Sequence, residues 1–209
     1  MMPENDPLEI AAEALCTTAC WCYAQGWVPA TSGNFSVRLG SRILVTASGL
    51  DKGTLTREGL LEVDLDGRKV AGSGRPSAET GLHLALYRAR PTAGAILHVH
   101  TVWNTLISAH HAALGHVPIE GYELLKGLDG VGTHEHLEQM PILENSQDYA
   151  QLTAGMTAAL DKFPRAHGVL LARHGLYTWG DSVADARRHL EALEFLFEVE
   201  MRRLTGGHS

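Results

Sequence analysis

A chain of 209 residues, 44% hydrophobic and 20% charged, is long enough to bury one sizeable core and too short for two independent ones. Its formal charge of −7 argues against nucleic acid or an anionic membrane as a partner, since both select basic surface. No run reaches the roughly 18 apolar residues of a membrane span. "MMPENDPLEI" lacks the basic-then-apolar order of a secretory leader, so a cytoplasmic location is expected.

In chain order, "LEIAAEALCTTACWCYAQ" (8–25) has the apolar spacing of an amphipathic helix, with Gly26 placed to stop it. Cys16, Cys20 and Cys22 all fall in this helix. An odd, clustered set makes a poor disulfide framework, and the three read as small apolar residues without a chemical role. "FSVRL" and "RILVT" alternate as two strands joined by a Gly-Ser turn, and "LLEVDLDGRKVAG" predicts a second hairpin turning at Asp66-Gly67. Pro76 and Ser77 open a helix over 78–90, "AETGLHLALYRAR", which Pro91 ends.

"GAILHVH" (94–100) then predicts a strand with Ile96, His98 and His100 on one face. An irregular middle follows, then a short strand at "PIL" and a helix over "DYAQLTAGMTAALDKF". "HGVLLARHG" (167–175) predicts a buried strand, with "LYTWG" as its partner. The last helix begins at Ser182, whose spacing to Asp185 resembles a capping box. Early hairpins and later helices between strands predict one α/β domain over 1–209, a mixed and mostly antiparallel sheet with helices on both faces.

His98 and His100 share a strand face at the end of an apolar run, where a cleft can open. His174, in "LLARHGLYTW", ends a second buried strand and precedes a glycine. Three neutral imidazoles with one position left open are the donor set of a catalytic zinc site. The competing reading is that a strand-end His-x-His is surface polarity, because so short a pattern arises freely. A rival pair, His134 and His136 in "HEH", sits in a polar loop segment with no evident strand to fix it, and ranks second as a ligand set.

Taken together, "ATSGNFSVR", "TASGLDKG", "RPSAETGLHLALYR", "AILHVHTVWN", "ENSQD" and "LLARHGLYTWGDSVADA" resemble the class II aldolase/adducin superfamily, in order and over nearly the whole chain. The resemblance implies an α/β/α fold and a zinc ion on His98, His100 and His174, one per subunit, with iron or manganese as alternatives. Glu79, in "PSAE", is implied as a ligand or acid/base. The likeness of "GYELLKGL" to the superfamily's dehydratases implies Glu123 as acid/base, its pKa raised if Tyr122, Leu124 and Leu125 enclose it.

There is no P-loop. "TSGN" (31–34), "ASG" (47–49) and "PSA" (76–78) each offer backbone N–H groups and a hydroxyl, and the superfamily uses the corresponding segments for phosphate. That implies Asn34, Ser48, Gly49 and Ser77 as phosphate-binding residues, with Lys52 adding local positive charge. The expected reaction is dehydration of a small phosphorylated ketose, the alternatives being a sugar-phosphate aldolase or epimerase. A non-catalytic adducin-like binding module is disfavoured, because it has no reason to keep three convergent histidines. A homotetramer is implied as well, and "LEFLFEVEM" in the last helix carries more apolar residues than one buried face needs, which makes it a candidate interface or equally a core element.

Overall fold

The structure is a computed structural model and describes residues 6–206. Part of the opening stretch read for a leader, residues 1–5, lies outside the described residues, as do 207–209. Helix α1 (Pro7–Ala24) starts where the Asp6 side chain accepts the Leu8 N–H and Pro7 fills the first turn. Gly26, at φ +73°, ends it by letting the Trp27 N–H reach back to the Cys22 carbonyl.

Both hairpins form as the alternation predicts. β1 (Asn34–Leu39) pairs β2 (Arg42–Thr46) across the two-residue Gly40-Ser41 turn, and β3 (Leu60–Asp64) pairs β4 (Lys69–Ala71) around Gly67. The next helix, expected from Ala78, is α2 (Thr80–Ala89) and begins two residues later. Pro76 is held in a β-bridge to Ala47, and the Ser77 Oγ accepts the Glu79 N–H. Glu79 is therefore the residue that caps the helix rather than a member of its first turn.

β5 (Ala95–Val99) stops just before His100. The stretch read as irregular holds a helix and a strand: α3 (Val102–His110) and β6 (His116–Ile119). β7 (Glu138–Leu143) is longer than the expected "PIL" and starts three residues earlier. α4 (Tyr149–Lys162) follows the Asp148 cap. The expected long strand at 167–175 ends early, as β8 (Gly168–Leu171), because the chain turns at Arg173 with φ 56°. β9 (Gly175–Gly180) and α5 (Val183–Gly206) complete the order.

Among the described residues nine strands form one sheet, ordered β4-β3-β2-β1-β5-β9-β8-β7-β6. Every neighbouring pair is antiparallel except β7 with β8. Strand alternation divides the core between the two faces. Phe35, Leu44, Leu97 and Val99 pack with α1, α3 and α5, while Ile43, Val45 and Ile96 pack with α2 and α4. Among the described residues no helix is long and apolar enough to cross a membrane.

Candidate metal centre

The centre is assembled on the central strands of the sheet. Register places Asn34 of β1 opposite His98 of β5, and His98 opposite Tyr177 of β9, so three neighbouring strands present them in one row. His98 is fully buried and its ring stacks on Tyr177, with centroids 3.8 Å apart. His100 stands just past the end of β5, and the left-handed turn at Arg173 swings His174 back toward both. A non-glycine residue held at positive φ is strained, and such strain persists where the surroundings fix a site. Gly175 lets these elements meet: a Cβ there would lie 2.4 Å from the Val99 carbonyl oxygen and 2.8 Å from the His98 ring.

Hydrogen bonds fix which nitrogen of the His98 and His174 rings faces inward. His98 Nδ1 donates to the Leu176 carbonyl at 2.9 Å, and His174 Nδ1 donates to the Asn145 side-chain oxygen at 3.2 Å. Both leave Nε2 as the inward lone pair, the way metal-binding imidazoles are held. His100 Nε2 lies 2.8 Å from His98 Nε2. Burial, then His100 and His174, hold the His98 pKa well below the imidazole range. Burial, then the neighbouring His174 and Lys52, push His100 down to about 4. Burial lowers His174 too, against the pull of Glu79. Three neutral imidazoles whose lone pairs converge suit a transition-metal cation, and the three ligand atoms lie within 4.8 Å of one another.

Glu79 joins them. Its two carboxylate oxygens lie 3.3 Å from His174 Nε2 and 3.5 Å from His98 Nε2. The oxygen facing His98 also accepts from Asn34 Nδ2 at 2.6 Å. Behind it runs a buried chain: His83 Nε2 donates to the Asn34 Oδ1, the Ser36 hydroxyl donates to His83 Nδ1 at 2.7 Å, and the Tyr87 hydroxyl donates to Ser36 at 2.9 Å. Burial pushes His83 down to about 3, so the relay runs through a neutral ring.

The three glycine/hydroxyl segments converge beside this carboxylate. Asn34 links the first to Glu79, while the Ala47–Pro76 bridge and a Ser48 N–H bond to the Arg75 carbonyl join the other two. Gly33, at φ +72°, packs against the His98 backbone with no room for a Cβ. Lys52 is buried, two of its N–H bonds going to the Thr31 and Leu50 carbonyls, and burial lowers its pKa. Ser48 and Gly49 face solvent and Ser77 is half-buried. The Asn34 side chain uses one N–H on Glu79 and its oxygen on His83, and the Ser48 N–H is likewise bonded within the chain.

Glu123 lies elsewhere in its contacts. It opens the short 3-10 turn Glu123–Gly127 on the β6–β7 connection, exposed, with its carboxylate on Lys126 at 2.5 Å and 4.0 Å from His134. The hydrogen bond from Lys126 and its charge lower the pKa. The three neighbours do not form the expected apolar enclosure: Leu125 is buried and Tyr122 packs on the core, while Leu124 and Glu123 itself are exposed. Cys22 is buried and its thiol is pushed up to about 12 by burial; Cys16 rises to about 11, again chiefly through burial. These thiols are inert.

Three residues at the site escaped the sequence reading. Asn145 orients His174 and lies within the quoted "ENSQD", so its segment was in view but not its task. His83 and Tyr177 reach the site from an apolar helix and an apolar strand, where nothing in the local pattern separates them from ordinary core residues.

A family model described as Class II Aldolase and Adducin N-terminal domain matches residues 13–201. A protein of Stenotrophomonas maltophilia named methylthioribulose-1-phosphate dehydratase is 49% identical over 184 residues, 87% of this chain and 86% of its own. One of the same name from Serratia proteamaculans is 45% identical over 203 residues, 97% of each chain. Among solved structures, YgbL from Klebsiella pneumoniae superposes with a TM-score of 0.83 at 24% identity, over 98% of this chain and 94% of its own. An L-fuculose-1-phosphate aldolase from Thermus thermophilus gives 0.76 at 26% identity, over 97% and 100%.

Proposed function

The chain belongs to the class II aldolase and adducin family, and from that premise we propose that it removes water from 5-methylthioribulose 1-phosphate, leaving 2,3-diketo-5-methylthiopentyl 1-phosphate. The observation that carries the reading is likeness at nearly half of all positions, over almost the whole chain, to dehydratases with that substrate in their name. In this reading the protein is a cytoplasmic homotetramer in methionine salvage, with one catalytic zinc ion per subunit.

His98, His100 and His174 hold the metal through their Nε2 atoms, with Glu79 beside them as a further ligand or an acid/base. Bound there, zinc supplies Lewis acidity at the carbonyl of the ketose, worth several kcal/mol in reactions of this kind. Asn34, Ser48, Gly49 and Ser77 line the phosphate side, and Lys52 offsets the charge of the anion. The chemistry then needs a proton taken from C3 and one returned to the departing C4 hydroxyl. Glu123 performs both transfers in this reading, although its contact with Lys126 lowers its pKa rather than raising it.

A second reading gives the proton transfer to Glu79. It is favoured by the 3.3 and 3.5 Å contacts of Glu79 with the triad, whereas Glu123 is engaged with Lys126 and His134. Two variants separate the readings. Glu123→Gln is expected to lower turnover at least roughly 100-fold while the triad keeps its metal. Normal turnover in Glu123→Gln, with activity lost in a metal-replete Glu79→Gln, would transfer the role to Glu79. His98→Ala is expected to lose both activity and the triad's metal; a triad still loaded in that variant would overturn the ligand assignment.

A further inference from the structure

The strand that delivers His174 at one end carries a second constellation at the other. His167 precedes the start of β8, beside the start of its parallel neighbour β7, where Glu138 is buried. One Glu138 oxygen accepts the His167 backbone N–H at 2.9 Å. The other faces both His136 Nε2 at 3.0 Å and His167 Nδ1 at 2.9 Å. The far nitrogen of His167 donates to the Asp129 carbonyl at 2.8 Å, which fixes the ring with Nδ1 turned inward.

These contacts gather two imidazole nitrogens and one carboxylate oxygen within 4.8 Å of one another. The His136 and His167 side chains are only 15% and 13% exposed, and Glu138 only 1%. Asp129 does not compete for the position, because its carboxylate is held by Arg188 at 2.6 Å. A cavity of about 300 Å³, lined by His136, His167, Asp129 and Arg165 among others, opens onto the cluster and gives a cation a way in.

We propose that His136, Glu138 and His167 form a second divalent-metal site, separate from the triad. Two imidazoles and one carboxylate with an open side suit zinc or iron(II) rather than calcium or magnesium. On binding, the cation takes the place of the proton shared between His167 Nδ1 and Glu138, and that proton leaves to solvent. The bond network then ties the loop carrying His136 to the start of β8. This site is independent of the proposed reaction.

Counting metal tests it. Chelator-stripped protein is dialysed against zinc chloride, passed through gel filtration and analysed for zinc per chain. Two ions per chain are expected for the wild type, one for His98→Ala and one for His136→Gln. The glutamine keeps a donor for Glu138 but removes the imidazole, and dehydration by His136→Gln is expected to be unchanged. Cobalt(II) added to His98→Ala gives an independent readout, since a visible ligand-field spectrum is expected from the remaining site. One zinc per chain in the wild type, with none in His98→Ala and no cobalt spectrum, would reduce the cluster to a buried ion-pair network. Because the count does not depend on turnover, it stands apart from any failure of the dehydratase reading.

Discussion

Gly175 is the narrowest point of the centre, and a single methyl group there probes its geometry. The added Cβ would press on the Val99 carbonyl and on both the His98 and His100 rings. Gly175→Ala is expected to fold, by circular dichroism, while binding zinc at the triad at least roughly 10-fold more weakly. Unaltered affinity would mean that the rings have more freedom than their packing implies. Asn145→Ala is milder: it removes the acceptor that orients His174, and losing such a partner costs roughly 10–100-fold in metal affinity. Competition with a chromophoric chelator measures it, and wild-type affinity would show that the backbone turn alone aims the ring. At this scale the sequence revealed those residues whose local context was unusual. His98, His100 and His174 stood out because each breaks an apolar strand at its end. Asn34, Glu79 and Lys52 were reached through the family's segments. His83 stayed hidden because its link to Asn34 spans 49 positions of sequence and follows from the pairing of separate elements.

Helix α3 begins one residue after Thr101, immediately past the His98–His100 pair, so whatever fixes its first turn also steadies the triad. Thr101 and Asn104 bond each other in a reciprocal cap, and both donate to Glu194 of α5, at 2.6 and 2.9 Å. Asn104 also reaches the Val99 carbonyl at the end of β5. Burial raises the Glu194 pKa to about 7, with the two donors pulling it back down. A carboxyl whose pKa rises on folding contributes stability that is complete below its unfolded value, about 4.5, and lost as pH climbs through about 7. The full difference corresponds to about 3 kcal/mol. Glu194→Gln is therefore expected to flatten the fall in urea stability between pH 5 and pH 8, and parallel pH profiles for variant and wild type would contradict it. α3 escaped the sequence reading because its cap is Thr-x-x-Asn rather than Thr-x-x-Glu, and the helix has only nine residues. β6 was missed as a four-residue edge strand containing Pro118, the kind of strand with least local signal.

For the whole molecule, the hairpins and the alternation of strand and helix sufficed to specify a mostly antiparallel sheet between two helical layers. Strand order did not follow from local pattern, since β9 inserts between β5 and β8 through long-range pairing. The apolar content of the last helix left it open as an interface or a core element; Leu193, Leu196, Phe197 and Met201 are buried in the core, while Phe195 points outward. Phe195 is 53% exposed, while Val102 and Leu106 are exposed on α3, the helix packed against α5. If the proposed tetramer uses this face, Val102→Asp with Phe195→Asp is expected to yield a smaller species by light scattering, and an unchanged mass would move the interface elsewhere. The central claim concerns the reaction. Zinc-loaded protein given 5-methylthioribulose 1-phosphate is expected to form a product lighter by one water, as read by mass spectrometry. Cleavage into two carbonyl fragments, or an unchanged substrate with the triad's metal in place, would contradict it.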